Sequence, residues 1–180
     1  MMRRAGGLGL LLLLAGCSEL DESGAPTTTS RSPNLGLTRR LLTFHEHELE
    51  LAELVSQRAG SDTVRALGRR GRLSHEPQAR ALRAWLERWS ANSTSTDSSA
   101  RPSGLASSEE MAELANATGA GFDRLFLALM TRHHEQLLGA LQSKSEARDA
   151  SVPGELIDTI RAVAQTELDE MRATLARSPE

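Results

Sequence analysis

The sequence repeats itself at an offset of 89 residues, and this repeat narrows the possible folds more than any other feature. Without a gap, His45-Glu46 falls on His134-Glu135 and Arg83-Ala84 falls on Arg172-Ala173. Further matches at the same offset pair Leu49 with Leu138, Leu67 with Leu156, Arg72 with Arg161, Leu86 with Leu175 and Arg88 with Arg177. A constant offset across two long stretches indicates a duplication. We therefore predict two related halves.

Each half has the periodicity of a helical hairpin. Apolar residues recur at helical spacing, which predicts helices at 37–59, 63–89, 109–117, 122 to about 147 and 153 to about 177. Gly68, Gly71 and Pro77 are expected to kink or break the second helix, because an interior proline loses a hydrogen bond and clashes with the preceding turn. The prediction is an all-α domain over residues 37–178.

The predicted domain is a four-helix bundle made of two duplicated helical hairpins, 37–90 and 108–178, joined by a polar linker at 91–107. The composition agrees, since tyrosine is absent and aromatic residues make up only 3% of the chain, while helix-forming leucine, alanine, arginine and glutamate are abundant. The net charge of −3 gives no electrostatic reason to expect nucleic-acid binding.

The N-terminus has the features of an exported lipoprotein. Arg3-Arg4 precedes an apolar run of about ten residues, which is too short to span a bilayer but suits a signal peptide. The run ends in Leu14-Ala15-Gly16-Cys17, which looks like a lipobox. We predict that residues 1–16 are a lipoprotein signal peptide and that Cys17 is lipidated. The alternative is an ordinary secretory signal with a chance cysteine.

Lipidation of Cys17 predicts a protein anchored in the cell envelope, on the periplasmic side. Ser18 follows the cysteine and favours the outer membrane, and residues 17–36 form a polar, flexible tether. Cys17 is also the single cysteine of the chain, which excludes an internal disulfide framework and a cysteine-based zinc site.

The inward faces of the last two long helices carry polar residues among leucines. His134 lies near the centre of one apolar stripe, with Met130 one turn before it, Asp123 three turns before it and His133 at its edge. On the final helix Glu167 lies near the middle of the inward face, and Met171 is one turn further on. The polar residues on these two faces should meet partners, because burying an unpaired carboxylate is costly.

Two arrangements would satisfy these groups. In the first, His134 pairs with Glu167 or Asp123 in a structural polar cluster of the core. In the second, the imidazole and carboxylates bind a metal ion, and the thioethers of Met130 and Met171 suit copper in its reduced state. The residues alone leave both arrangements open.

Several of these residues belong to a longer sequence pattern that resembles that of a known family. The residues of this pattern are Ser108-Glu109-Glu110-Met111-Ala112-Glu113-Leu114, Gly119, Phe122-Asp123, Phe126-Leu127, Met130, His133-His134, Glu167-Leu168 and Met171, with Trp85-Leu86-Glu87-Arg88-Trp89 in the first half. Together they resemble the bacterial domain-of-unknown-function family 305. The resemblance implies a ferritin-like bundle in an exported protein, with copper as a ligand in some members. It places Asp123, Met130, His133, His134, Glu167 and Met171 at the family's positions, whereas Ala164 replaces a glutamine and Gln78 replaces an acid.

An enzyme is not expected. A ferritin-like di-iron enzyme needs Glu-x-x-His motifs, and no histidine here has a glutamate three residues before it. A His-Glu-x-x-His zinc-protease motif is also missing. We predict a membrane-anchored protein whose bundle binds copper or another metal through His, Glu and Met side chains. The alternative is a structural or binding lipoprotein whose His/Glu cluster is a core polar network.

Overall fold

A computed structural model describes residues 35–90, 102–142 and 152–177. These residues form five helices, namely α1 (Gly36–Arg58), α2 (Asp62–Ser90), α3 (Ser108–Asn116), α4 (Gly119–Gln142) and α5 (Gly154–Arg177). The all-α prediction is confirmed. The proposed signal peptide, the lipidation site at Cys17, residues 17–34 of the tether and residues 91–101 of the linker lie outside the described residues.

The four long helices form two hairpins that pack on each other. α1 packs mainly on α2 and α4 mainly on α5, while α1 also contacts α4 and α2 contacts α5. Both hairpins carry the same cross-helix ion pair, Arg83 with Glu46 and Arg172 with Glu135, each with an N–O distance of 2.7 Å. Because both partners are displaced by 89 residues, the ion pairs confirm the predicted duplication.

The core consists of two apolar clusters with polar residues between them. One cluster contains Phe44, Leu82, Leu137 and Ile160 among others, and the second contains Leu51, Leu67, Phe126, Met130 and Met171 among others. Near the middle of every long helix, a polar residue lies between or beside the apolar residues of the two clusters. Those positions, on α1, α2, α4 and α5, form the site described below.

The expected break in α2 does not occur, since the helix continues from Asp62 to Ser90 with Pro77 inside it. Pro77 is exposed, and so is Leu73, whose carbonyl would have accepted the missing hydrogen bond. Water can therefore hydrate that carbonyl. At Gly68 a Cβ atom would lie 2.8 Å from the side chain of Val55, so the glycine permits the close approach of α1 and α2.

α3 is fixed to α4 by a capping box and an ion pair. The Ser107 hydroxyl accepts a hydrogen bond from the Glu110 backbone N–H, and the Glu110 carboxylate accepts one from Ser107. Arg132 donates to both oxygens of Glu110 at 2.7 Å and lowers the pKa of that carboxyl to about 2. These contacts hold Ala106 in place, and its backbone N–H donates to His47 Nε2 at 2.9 Å.

Within the described residues no helix is both long and apolar enough to cross a lipid bilayer. The long helices are instead amphipathic, as a packed bundle requires.

Candidate metal centre

Four side chains, one from each long helix, meet between the two apolar clusters. They are Glu48 on α1, His75 on α2, His134 on α4 and Glu167 on α5. One ligand atom from each residue lies within 4.8 Å of the ligand atoms of the other three. We call these four residues the His/Glu centre.

Both imidazoles of the centre face both carboxylates. His75 Nε2 lies 2.9 Å from Glu48 Oε1 and 2.7 Å from Glu167 Oε2. His134 Nε2 lies 3.3 Å from Glu48 Oε1 and 3.0 Å from Glu167 Oε2. Two nitrogens and two oxygens thus surround one point in the middle of the bundle.

The remaining ring nitrogens orient the two imidazoles. His134 Nδ1 donates to the backbone carbonyl of Met130 at 2.9 Å, one helical turn earlier. His75 Nδ1 lies 3.1 Å from His45 Nδ1, so one of these two nitrogens donates to the other. Metal-binding histidines in proteins have their second nitrogen held in this way. The arrangement leaves both Nε2 atoms directed at the centre.

The charges of the centre stabilise one another. Burial alone would raise the pKa of Glu48, but His75 and His134 hold that pKa well below its ordinary value. Burial likewise opposes protonation of His75, yet the carboxylates of Glu48 and Glu167 raise its pKa to about 10. The pKa of His134 is raised for the same reason, and hydrogen bonds from both histidines outweigh burial and lower the pKa of Glu167. Two positive and two negative charges therefore balance.

The other three histidines of the chain surround the centre and are also buried. Burial lowers the pKa of His45 and of His133, which keeps both rings neutral. His133 packs its edge on Phe44 with ring centroids 5.2 Å apart, and its Nε2 lies 3.7 Å from Glu48 Oε2. That distance is too long for a hydrogen bond. His133 thus lies beside the four converging groups.

Of the six residues predicted from the sequence to bind metal, His134 and Glu167 belong to the centre. Met130 and Met171 lie next to it, in the wall of a cavity of about 10 Å³ that Glu48 and Glu167 also line. A cavity of this size has space for about one water-sized group. The thioethers are therefore neighbours of the centre.

Asp123 is not brought into the centre. Its two carboxylate oxygens accept hydrogen bonds from the backbone N–H groups of Gly60 and Ser61 at 2.9 Å and 2.8 Å. These donors lie in the turn between α1 and α2, so Asp123 attaches that turn to the start of α4. Its contacts are those of a structural residue.

Replacing Asp123 with asparagine should therefore weaken the fold. An amide offers one carbonyl oxygen for the two backbone donors and carries no charge, and hydrogen bonds to charged groups contribute about 1.5–3 kcal/mol. We expect the free energy of unfolding, measured in urea, to fall by about that amount. The metal content should not change, and a variant that loses its metal while keeping its stability would make Asp123 a ligand.

Glu48 and His75 were not among the site residues predicted from the sequence. His75 corresponds at the 89-residue offset to Ala164, the position where the family resemblance expects a glutamine. That correspondence could have identified His75 as a candidate site residue. Glu48 corresponds to Leu137 at the same offset. It lies in the run His45-Glu46-His47-Glu48, in which histidines and glutamates alternate, so the sequence does not indicate that Glu48 is the buried carboxylate.

The fold and the site define a class of protein, an all-α bundle of two duplicated hairpins with a buried centre of two histidines and two glutamates. The chain belongs to the family described as domain of unknown function DUF305, whose profile matches residues 35–175. No curated protein matches the chain.

Solved structures similar to this chain include two DUF305 proteins and CopM. A DUF305 fragment from Deinococcus radiodurans is 25% identical with a TM-score of 0.67, and the match covers 81% of this chain and 98% of that one. A DUF305 protein from Streptomyces coelicolor, provisionally described as secreted, is 21% identical with a TM-score of 0.59 over 78% and 84% of the two chains. CopM in its Cu(II)-bound form is 18% identical with a TM-score of 0.61 over 77% and 93%.

Proposed function

We propose that this protein binds one transition-metal ion, with Cu(II) preferred, at Glu48, His75, His134 and Glu167. The observation that carries the proposal is the convergence of two imidazole nitrogens and two carboxylate oxygens from four helices on one buried point. Side chains from facing helices build the metal sites of other helical bundles in the same way.

The donor set suggests which ion binds. Imidazole suits zinc, copper, iron and nickel, and among divalent first-row ions Cu(II) generally binds most tightly to a given site. CopM, which shares this fold, is known in a Cu(II)-bound form. A divalent ion would displace the Nε2 protons of His75 and His134, and its charge would then be neutralised by Glu48 and Glu167. The thioethers of Met130 and Met171, in the adjoining cavity, are placed to favour reduced copper if the bound ion is reduced.

A structural polar network is the second candidate function. The observation that favours it is the existing balance of charges, because His75 and His134 are hydrogen-bonded to Glu167 and paired with Glu48. Such a network satisfies the buried groups without any ion. The protein would then be a non-enzymatic structural or binding protein.

Metal analysis of the purified protein separates these candidates. We expect about one equivalent of copper per chain after incubation with Cu(II) and removal of the excess, in a Cys17→Ser background that lacks a free thiol. His134→Leu/Glu167→Leu should bind none. Zinc should bind more weakly and be displaced by copper. A wild-type protein that retains no metal of either kind would refute the metal proposal and leave the structural network.

We also propose that the protein is exported and anchored in the cell envelope through lipid on Cys17. The lipobox-like Leu14-Ala15-Gly16-Cys17 supports this, together with the short apolar run before it. The anchor would hold the bundle on the periplasmic side of the membrane.

The anchor is tested by labelling cells with a radioactive fatty acid. The wild-type protein should be labelled and partition into detergent, because the Cys17 thiol accepts the diacylglycerol. Cys17→Ser should be unlabelled, since a hydroxyl does not replace the thiol in this reaction. Labelling that persists in the Cys17→Ser variant would rule out lipidation at this residue.

A further inference from the structure

The four residues of the His/Glu centre differ in their access to solvent. The side chains of Glu48 and His75 are 1% exposed and that of His134 is 0% exposed. The side chain of Glu167 is 12% exposed. An ion that reaches the centre from solvent therefore meets Glu167 first.

Glu167 separates two cavities. On the inner side is the small cavity that contains the thioethers, and on the outer side is a cavity of about 320 Å³ between α2 and α5. Three residues line both cavities, namely Arg70, Glu167 and Glu170. These three side chains thus form the boundary between the two cavities. Gly71 also lines the inner cavity, so α2 adds no side chain at that position.

Arg70 and Glu170 form an ion pair at this boundary. Arg70 belongs to α2 and Glu170 to α5, one turn after Glu167, so the pair connects the two helices beside the exposed ligand. Both side chains are partly exposed, at 50% and 40%, which allows them to separate without unfolding the bundle.

We propose that the metal ion enters and leaves the centre between α2 and α5, past Glu167, and that the Arg70–Glu170 ion pair closes this passage. The inference rests on the proposed metal binding. Because neither residue of the pair belongs to the centre, the pair governs the rate of exchange and leaves the affinity unchanged. Separation of the pair precedes each passage of an ion in either direction.

The test is stopped-flow measurement of Cu(II) binding, and of Cu(II) release to a chelator, on the Cys17→Ser protein and on Arg70→Gln/Glu170→Gln. The double substitution removes one positive and one negative charge, so it leaves the net charge unchanged. An exposed ion pair contributes about 0.2–1 kcal/mol, which corresponds to rates about 1.4- to 5-fold faster. Both the association and dissociation rates should rise by the same factor, and Kd should stay within about twofold of wild type.

Two further variants make the result specific. Arg83→Gln/Glu46→Gln removes a cross-helix pair of similar exposure away from the passage and should leave both rates unchanged. Arg70→Glu/Glu170→Arg restores the pair with its charges exchanged and should return the rates towards wild type.

The outcomes distinguish this inference from the function on which it rests. If wild-type protein binds copper and Arg70→Gln/Glu170→Gln exchanges it at wild-type rates, the passage lies elsewhere and metal binding stands. A change in association rate alone, which disappears at high salt, would indicate electrostatic attraction at the surface and would also overturn the inference. If the wild-type protein binds no copper, the proposed function itself fails.

Discussion

Unfolding of a Glu48→Gln variant is expected to require about 3–5 kcal/mol less free energy than unfolding of the wild type, because removing one partner of a buried ion pair leaves the other charge uncompensated. Glu48 is buried and lies within 3.3 Å of Nε2 of both His75 and His134. A glutamine has nearly the same shape but cannot balance two imidazolium groups. The effect is therefore electrostatic, and it should be seen in protein stripped of metal.

Urea unfolding of metal-free wild type and variant measures the loss. Gln78→Leu is the matched control, because Gln78 is buried in the same bundle and its Oε1 atom has no hydrogen-bond partner among the described residues. Its replacement by an apolar side chain should cost far less. A Glu48→Gln variant that loses under about 1 kcal/mol would mean that the two histidines are neutral in the folded protein.

The same experiment has a defined pH dependence. The pKa of His75 rises from 6.5 to about 10 on folding. A group whose pKa is raised on folding stabilises the protein fully below its unfolded pKa and loses this effect as the pH rises through its folded pKa. The pKa of Glu48 is lowered from 4.5 on folding, so its contribution is lost on acidification. The difference between wild type and Glu48→Gln should therefore be largest between pH 4.5 and 6.5, and should narrow towards pH 10 and in strong acid.

Copper is expected to stabilise the wild-type protein by about 2.7 kcal/mol when free Cu(II) is a hundredfold above its Kd, because an ion that binds only the folded state adds RT ln(1 + [L]/Kd) to the free energy of unfolding. The melting temperature should rise with copper concentration accordingly. A structural network predicts no such response.

The His134→Leu/Glu167→Leu variant completes this measurement. It should lose the response to copper and keep its helix content, since apolar side chains often pack at least as well as a buried ion pair. In the absence of copper it should unfold at a similar or higher temperature than wild type. His47→Gln/Glu50→Gln, a histidine and glutamate pair outside the centre, should retain the full copper response. Loss of the response in that control as well would place copper elsewhere.

The fold could be predicted from the sequence because duplication and helical periodicity are local, repeated signals. The stripe on α4 was correctly predicted to be buried, including His134 and Asp123. Helical periodicity predicts the face on which a residue lies. It does not predict which residues of a neighbouring helix lie at the same height along the helix axis. Asp123 and His134 share a face but lie 11 residues apart, or about 16 Å along the axis at 1.5 Å per residue. Asp123 therefore meets the α1–α2 turn and not the centre.

Glu48 and His75 escaped prediction for a related reason. Which carboxylate of α1 points inward depends on how α1 is rotated against α2 and α4, and a run of alternating histidines and glutamates gives no clear apolar face to fix that rotation. His75 lies two residues before Pro77, where a break in the helix was expected. The continuous helix carries His75 inward, and that continuity depends on the exposure of Pro77.

The two hairpins supply the ligands of the centre in opposite order along the chain. The first hairpin supplies a glutamate from its first helix and a histidine from its second, whereas the second hairpin supplies a histidine and then a glutamate. In a symmetric dimer of a single hairpin, both copies would supply the glutamate and the histidine from equivalent helices, so ligands in this order could not occur. Two halves of a single chain are free of that constraint, because each position can carry a different residue in each half. The His/Glu centre thus depends on positions at which the two hairpins differ, such as Glu48 against Leu137 and His75 against Ala164.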